Sequence, residues 1–451
     1  MAIALHRGYP EELPLGRFAG QPRFAAFGRR RETLPERLFS LTDHYAQVPA
    51  ALTRQSGYER TEQENLETAA DRTAAGAQIE ISELSARLIR ESFSFVAANP
   101  EAAMEHFYAR LFVHHPEIRS MFPHAMRDHM GRVFQALAHI VQNIGSPESL
   151  NSYLGQLGRH HRKFGVKGRH YEPFLAGLAD TVRHFSGDYW TGETQAAWEA
   201  ALARVSATMT AAADEDQQPP WWIGEVVRHD LRGPNLAVLT IRPDQPLPYR
   251  PGQYLAVQVP RWPRVWRNFS IANAPRENGL VDLHVRAIPG GLVSGSLVHS
   301  MQPGDTLLLG QAEGEMTAPA NPDTDLLCVT GGTGLAPIKA IIESVIARGG
   351  RPRTIGLYLG ARTEDDLYDL ADLQALEAAC PALTVIPVVS HQPNFSGIKG
   401  MVPDVVAQHL SCAGQEIFIS GPGGMIRETA RLLGNRSDAG RIRYDPPSAA
   451  G

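Results

Sequence analysis

At 451 residues, with 43% apolar and 20% charged side chains, the chain is long enough for two or three domains, each able to bury a core of its own. A net charge of -5 argues against a surface dedicated to nucleic acid, and no apolar run nears the roughly 18 residues of a membrane-spanning helix. Three cysteines, Cys328, Cys380 and Cys412, fall short of the four that a plant-type iron–sulfur cluster takes, so any electron carrier is organic or held by histidine. Met1 to Gly16 carries prolines and charges in place of a signal peptide's apolar core, which predicts a cytoplasmic protein.

Residues 1–79 show no sustained apolar period, and Glu59 to Glu80 is rich in Glu, Thr and Ala with almost no large apolar side chain. A disordered or loosely helical arm is expected there, with Arg29-Arg30-Arg31 as a solvated turn. Over residues 80–214 the apolar period becomes 3.6. Asn99 caps a helix opened by Pro100 and Glu101, on which Met104, Phe107, Tyr108, Leu111 and Phe112 share a stripe. Further stripes follow through Val133 to Ile144, Leu150 to Leu157, Tyr171 to Phe185 and Trp198 to Met209.

His161 continues the Leu150, Leu154, Leu157 stripe, and His129 precedes Val133 by four. An inward imidazole needs a partner, because an unsatisfied buried polar group costs about 1–3 kcal/mol. Neutral imidazole is the usual axial ligand of haem iron, and a core histidine bonded to a carbonyl is the other reading of such a position. Stripe position alone leaves both open.

This stretch resembles the globin half of the flavohaemoglobins. Glu105 to Phe112 looks like the second globin helix with its distal tyrosine, Tyr108. Met121-Phe122-Pro123 looks like the corner whose phenylalanine wedges against the haem. Arg159-His160-His161 through Lys167 looks like the proximal segment, with Tyr171 in the family's tyrosine position. The resemblance implies haem b ligated by His161, Tyr108 as distal donor, His129 as a further distal residue, and Tyr171 behind the proximal histidine. One departure stands out: the family's proximal glutamate on the last globin helix falls at Ala213, with Glu215 two residues on.

Asp214 to Pro220 reads as a linker. Short alternating strands follow at Glu225–Arg228, Ala237–Arg242, Tyr254–Val259, Phe269–Ala272, Leu280–Arg286 and Thr306–Leu309, spaced as in an antiparallel barrel. Pro289-Gly290-Gly291-Leu292-Val293-Ser294 can cradle a phosphate at a helix start. From Asp325 strands and helices alternate. Leu326–Thr330 leads into Gly331-Gly332-Thr333-Gly334-Leu335-Ala336-Pro337, with Pro337 expected at the first position of a helix over Ile338–Ala347. Thr354–Gly360 and Ile417–Ser420 each end in a further turn, the second at Gly421-Pro422, and three such strand ends on one edge fit a ligand crevice.

Residues 221–444 resemble the ferredoxin-reductase family. Arg267, Phe269 and Ser270 match its R-x-Y/F-S flavin motif, which implies FAD phosphates on the arginine, the aromatic beside the isoalloxazine and the serine facing its reactive nitrogen. Gly290, Gly291 and Ser294 match the second phosphate loop, Gly332, Thr333, Gly334 and Pro337 the nicotinamide nucleotide loop, and Gly421 with Pro422 the turn beside the nicotinamide. Ser390-His391-Gln392-Pro393 offers no arginine cluster for a 2'-phosphate, which favours NADH. Tyr444 is followed by Asp445-Pro446-Pro447 where flavohaemoglobins usually place an aromatic near the flavin, an ending similar to the family's divergent second group.

The expected architecture is therefore multidomain: an all-α globin over 80–214, an antiparallel β-barrel FAD domain over 221–323 and an α/β parallel-sheet NAD domain over 324–451. The resemblance implies nitric oxide dioxygenase activity, with electrons passing from NADH through FAD to haem and O2 and NO giving nitrate. A haem-based redox or oxygen sensor, and a flavin reductase serving another acceptor, are the alternatives.

Overall fold

The computed structural model describes residues 81–349, 354–409, 414–434 and 441–445. The expected arm over 1–79, Cys412 and Pro446-Pro447 lie outside the described residues. The first half is helical: α1 Glu83–Ala98, α2 Pro100–His114, α3 Arg127–Gln142, α4 Pro147–His161, α5 Tyr171–Ser186 and α6 Gly192–Glu215. Local chemistry sets the starts. The Ser82 and Asn99 side chains accept from the amides of Ser85 and Ala102, at 3.1 and 3.3 Å, and Thr191 caps α6 through Thr194.

Phe107, Leu150, Leu154 and Val182 are fully buried where these helices meet. The indole of Trp198 reaches a partner inside this core, donating to Ser92 Oγ at 2.9 Å. Helices α4 and α6 touch backbone to backbone. A Cβ on Gly158 would lie 2.2 Å from the carbonyl oxygen of Met209, so glycine is what permits the crossing.

The second part is a six-stranded antiparallel sheet: β1 Trp222–Gly233, β2 Leu236–Pro243, β3 Tyr254–Gln258, β4 Arg267–Ser270, β5 Val281–Arg286 and β6 Thr306–Glu313, in the order β4-β3-β6-β1-β2-β5. Its two edges meet just beyond β4, where Ile271 bridges Leu283 and the Ala272 amide donates to the Asp282 carbonyl at 2.8 Å. Strand β4 begins two residues before the expected Phe269, because Arg267 and Asn268 pair with Val257 and Ala256 while exposing their side chains. Strand β1 runs five residues past Arg228, since Pro234-Asn235 turns it tightly into β2. Helix α7, Leu292–His299, lies beside β5.

The third part is a six-stranded parallel sheet: β7 Leu326–Gly331, β8 Ile355–Ala361, β9 Leu383–Val389, β10 Ile398–Lys399, β11 Glu416–Ser420 and β12 Ile442–Arg443, ordered β10-β9-β8-β7-β11-β12. Helices α8 Leu335–Ala347, α9 Leu370–Ala379, α10 Val402–His409 and α11 Gly423–Gly434 alternate with it. From β7 the chain steps outward through β8, β9 and β10, then returns to β7's other side as β11. The carboxyl ends of β7 and β11 therefore flank the point where strand order reverses, the usual ligand crevice of such sheets. Pro337 is the third residue of α8, not the first, because Gly332–Gly334 forms a short 3-10 turn ahead of it. The proline still falls in the first turn, whose amides have no intrahelical partner.

Candidate functional site

On the helical side, α2 and α3 build one wall of a pocket. Tyr108 is 4% exposed, and its ring packs at centroid distances of 5.6 Å from Phe122 and 5.8 Å from His129; Phe122 and His129 are 5.4 Å apart. Neither Tyr108 Oη nor His129 Nε2, both buried, has a hydrogen-bond partner. Burial pushes the Tyr108 phenol well up, keeping its proton, and pulls the His129 imidazole down to about 4, with Arg132 adding to the effect.

His161 ends α4. Burial first, then the charges of His160, His129 and Lys163, lower it to about 4. His161 Nδ1 stands 3.3 Å from Tyr171 Oη at the start of α5. Burial, followed by the Asp214 carboxylate, pushes the Tyr171 phenol up. The acid that approaches this tyrosine is therefore Asp214, on the last turn of α6, rather than Ala213 or Glu215. A neutral imidazole with one nitrogen held by a phenol, together with two orphaned buried polar atoms on α2 and α3, fits haem: His161 would hold the iron, and Tyr108 and His129 would meet a small ligand on it.

The segment just after His161 docks on the antiparallel sheet. His160 Nε2 meets Glu313 Oε1 at 2.8 Å, and Arg162 Nη1 meets Asp216 Oδ2 at 2.7 Å, with Gln311 donating to the same oxygen at 2.7 Å. Lys163 Nζ sits 5.7 Å from both the Phe164 and Trp266 rings. Trp266 immediately precedes Arg267, and Glu313 lies across from Tyr254, which in turn pairs with Ser270. The end of the histidine helix is thus joined to the strand carrying the R-x-F-S sequence.

Along that strand Arg267 is exposed, its Nη1 donating to the Trp266 carbonyl at 2.9 Å, while Phe269 and Ser270 are half-buried. Gly290, at φ 73°, with Gly291 starts α7, and Ser294 is 8% exposed beneath them. A cavity of about 520 Å³ opens at this loop, lined by Arg261, Trp262, Ile288, Gly290, Gly291 and His299 among others. Ile288 and Leu292 in its wall are 56% and 43% exposed, an apolar platform beside a phosphate-type loop. Chain order gave no sign that Arg261 and Trp262 border this cavity.

In the parallel sheet the expected turns converge. A Cβ on Gly334 would lie 2.5 Å from the Gly421 amide nitrogen, and one on Gly421 would lie 3.0 Å from the Gly331 carbonyl, so the two turns pack directly. Gly332, at φ 57°, and the neighbouring Thr333 are half-buried, with nothing within 4 Å of a Cβ built on Gly332; Pro422 is exposed. A glycine turn with open space at the amino end of α8 fits a nucleotide pyrophosphate.

Family profiles described as Globin, Oxidoreductase FAD-binding domain and Oxidoreductase NAD-binding domain match residues 105–209, 225–317 and 328–431 in turn. The chain is 32% identical over 228 residues to the reductase component of phenol 2-monooxygenase from Pseudomonas sp. strain CF600, covering 48% of this chain and 64% of that protein. It is 28% identical over 283 residues to a flavohemoprotein of Bordetella pertussis, 58% of this chain and 70% of the relative. It spans between 55% and 64% of the length of the first curated relatives it matches. The flavohemoglobin of Malassezia yamatoensis, solved with FAD and heme, superposes with a TM-score of 0.67 over 81% of this chain and 99% of that one, at 16% identity, a likeness of fold.

Proposed function

We propose that the chain, a globin joined to ferredoxin-reductase-like FAD- and NAD-binding oxidoreductase domains, is a flavohaemoglobin that works as an NADH-dependent nitric oxide dioxygenase. When bound, haem supplies the iron at which O2 is turned on NO to give nitrate, and FAD divides the two electrons of a hydride into single deliveries. The observation that carries the reading is the pair of buried, unpartnered atoms Tyr108 Oη and His129 Nε2, in the same helical domain as a His161 imidazole 3.3 Å from Tyr171 Oη.

In this reading His161 holds the iron and Tyr171 keeps its imidazole oriented. Tyr108, kept protonated by burial, has one O–H to donate to a diatomic ligand, and Phe122 closes the wall against water. Arg267 and the amides of Gly290 and Gly291 hold the flavin phosphates, Ser294 supports that loop, and Phe269 with Ser270 positions the ring system. Ile288 and Leu292 in the adjoining cavity would offer an apolar surface to the adenylate end of FAD. Gly332, Thr333 and Gly334 would receive the nicotinamide nucleotide at the head of α8, Pro337, which lacks an N–H, sits in that first turn without leaving an unpaired amide of its own, and Gly421-Pro422 would border the nicotinamide.

Aerobic NO consumption driven by NADH, with nitrate measured as product, tests the activity. The reading predicts one nitrate per NO, abolished in His161→Ala while NADH still reduces the flavin. NO consumption that survives His161→Ala would place the activity elsewhere. The 32% identity of the reductase half to an oxygenase reductase component favours one second reading, delivery of electrons to a separate acceptor. That reading predicts faster turnover with an added acceptor protein than with O2 and NO.

A further inference from the structure

Helix α8 carries the nucleotide loop at its head, and of two charged side chains one turn apart on it, Glu343 reaches the flavin-side sheet directly while Lys339 reaches it through Asp369, just before α9, which Arg232 of β1 shares. Lys339 Nζ lies 2.7 Å from Asp369 Oδ2, and Asp369 is 1% exposed. Arg232, from β1, reaches the same acidic cluster, with Nη1 3.7 Å from Asp369 and Nη2 3.2 Å from Asp372. Beside it, His284 of β5 meets the Tyr368 hydroxyl at 2.9 Å. The second tie is Glu343. Its Oε2 accepts from the Ala274 amide at 3.1 Å and lies 3.9 Å from Arg276, which pairs with Asp282 of β5 at 2.8 Å. Ala274 is four residues beyond Ser270 of the flavin strand.

The order of the two charges selects one register. Sliding α8 by a turn, about 5.4 Å, one way would set the Glu343 carboxylate against Asp369 and Asp372; sliding it a turn the other way would offer the Ala274 amide a lysine, which cannot accept. Apolar side chains at both positions would hold the surfaces together without distinguishing these registers.

We propose that Lys339 and Glu343 are positioning residues for hydride transfer, fixing the helix that presents the nicotinamide nucleotide at one register against the flavin-bearing sheet. The step served moves one hydride, two electrons with one proton, from NADH to FAD, giving NAD+ and the reduced flavin anion. The inference rests on the NADH-to-flavin part of the proposed function and not on NO chemistry.

The test uses full-length holoprotein with Glu343→Ala, Glu343→Gln and Lys339→Met, followed by anaerobic stopped-flow reduction of the flavin and by hydrogen exchange at the Ala274 amide. In Glu343→Ala and Lys339→Met the limiting rate per bound flavin falls by about tenfold or more, with NADH affinity held within about threefold, as expected of a donor displaced by a fraction of an ångström. Glu343→Gln, whose amide oxygen still accepts from Ala274, keeps a rate within about threefold of wild type. Exchange at Ala274 accelerates in Glu343→Ala and not in Glu343→Gln. An unchanged rate per bound flavin in both Glu343→Ala and Lys339→Met, or losses that follow only FAD content or NADH affinity, overturns the proposal. A wild-type flavin that NADH leaves oxidised refutes it together with the NADH donor reading, whereas a reducible wild type with unaffected variants refutes it alone.

Discussion

Burial decides the protonation states around the candidate haem pocket. The Tyr108 phenol, 4% exposed and pushed up by burial, keeps a proton to donate. Tyr108→Phe removes that one donor while leaving the ring contacts to Phe122 and His129 in place. The O2 dissociation rate should rise about tenfold, the loss of one hydrogen bond of roughly 1.4 kcal/mol; an unchanged rate in flash photolysis would remove Tyr108 from the role. His129 and His161 are both lowered to about 4, from an ordinary value of 6.5. As pH falls below that ordinary value the unfolded chain takes up protons that the folded chain refuses until about 4, so stability drops across this window. Apo-protein melting followed by helix circular dichroism should therefore fall between pH 6.5 and 4, and a flat profile there would contradict the buried neutral pair. The inward placement of Tyr108 and His161 was legible in the sequence because each continues an apolar helical stripe, whereas their haem roles came from the family resemblance alone. Asp214 was not, since which side chain of a helix's last turn approaches Tyr171 depends on packing between helices rather than on spacing along one.

At the scale of elements, the crossing of α4 and α6 is the contact most exposed to a single change. A methyl group at Gly158 would meet the Met209 carbonyl at 2.2 Å, and the backbone atoms there have no flexible end to give way. Gly158→Ala should cost about 1–3 kcal/mol, the range for overpacking, and loosen the helix that ends in His161. Thermal melting should fall and haem should be lost faster to an apo-globin acceptor; wild-type values for both would mean that the helices can separate freely. The helix stripes and the loops at Gly290 and Gly332 were readable because periodicity and glycine turns are local signals. Strand β9 was not, because Pro387 interrupts its apolar run. The fold accepts that proline where β9's outer neighbour, β10, spans two residues and the ladder is short. The Lys339 and Glu343 ties were equally invisible, since their partners Asp369 and Ala274 lie 30 and 69 positions away.

Across the whole molecule, three separately folded patterns become one line through a few side chains. The end of the histidine helix reaches the flavin-side sheet through His160–Glu313 on β6 and Lys163 against Trp266 beside β4, with Arg162–Asp216 holding it to the linker. On the far side Glu343 of α8 meets the Ala274 amide and Arg276 just beyond the flavin strand, and Arg232 of β1 reaches the acids that hold Lys339. The residues proposed to hold nicotinamide, flavin and haem therefore stand in sequence across two contacts, the arrangement that the proposed electron passage needs. Among the described residues no helix is long and apolar enough to cross a membrane. The measurement that tests this line most directly is the anaerobic absorption spectrum of the purified holoprotein under CO, recorded before and after NADH is added. The account predicts that the flavin bleaches and the band of CO-bound ferrous haem then grows. A band that dithionite produces and NADH does not would contradict it.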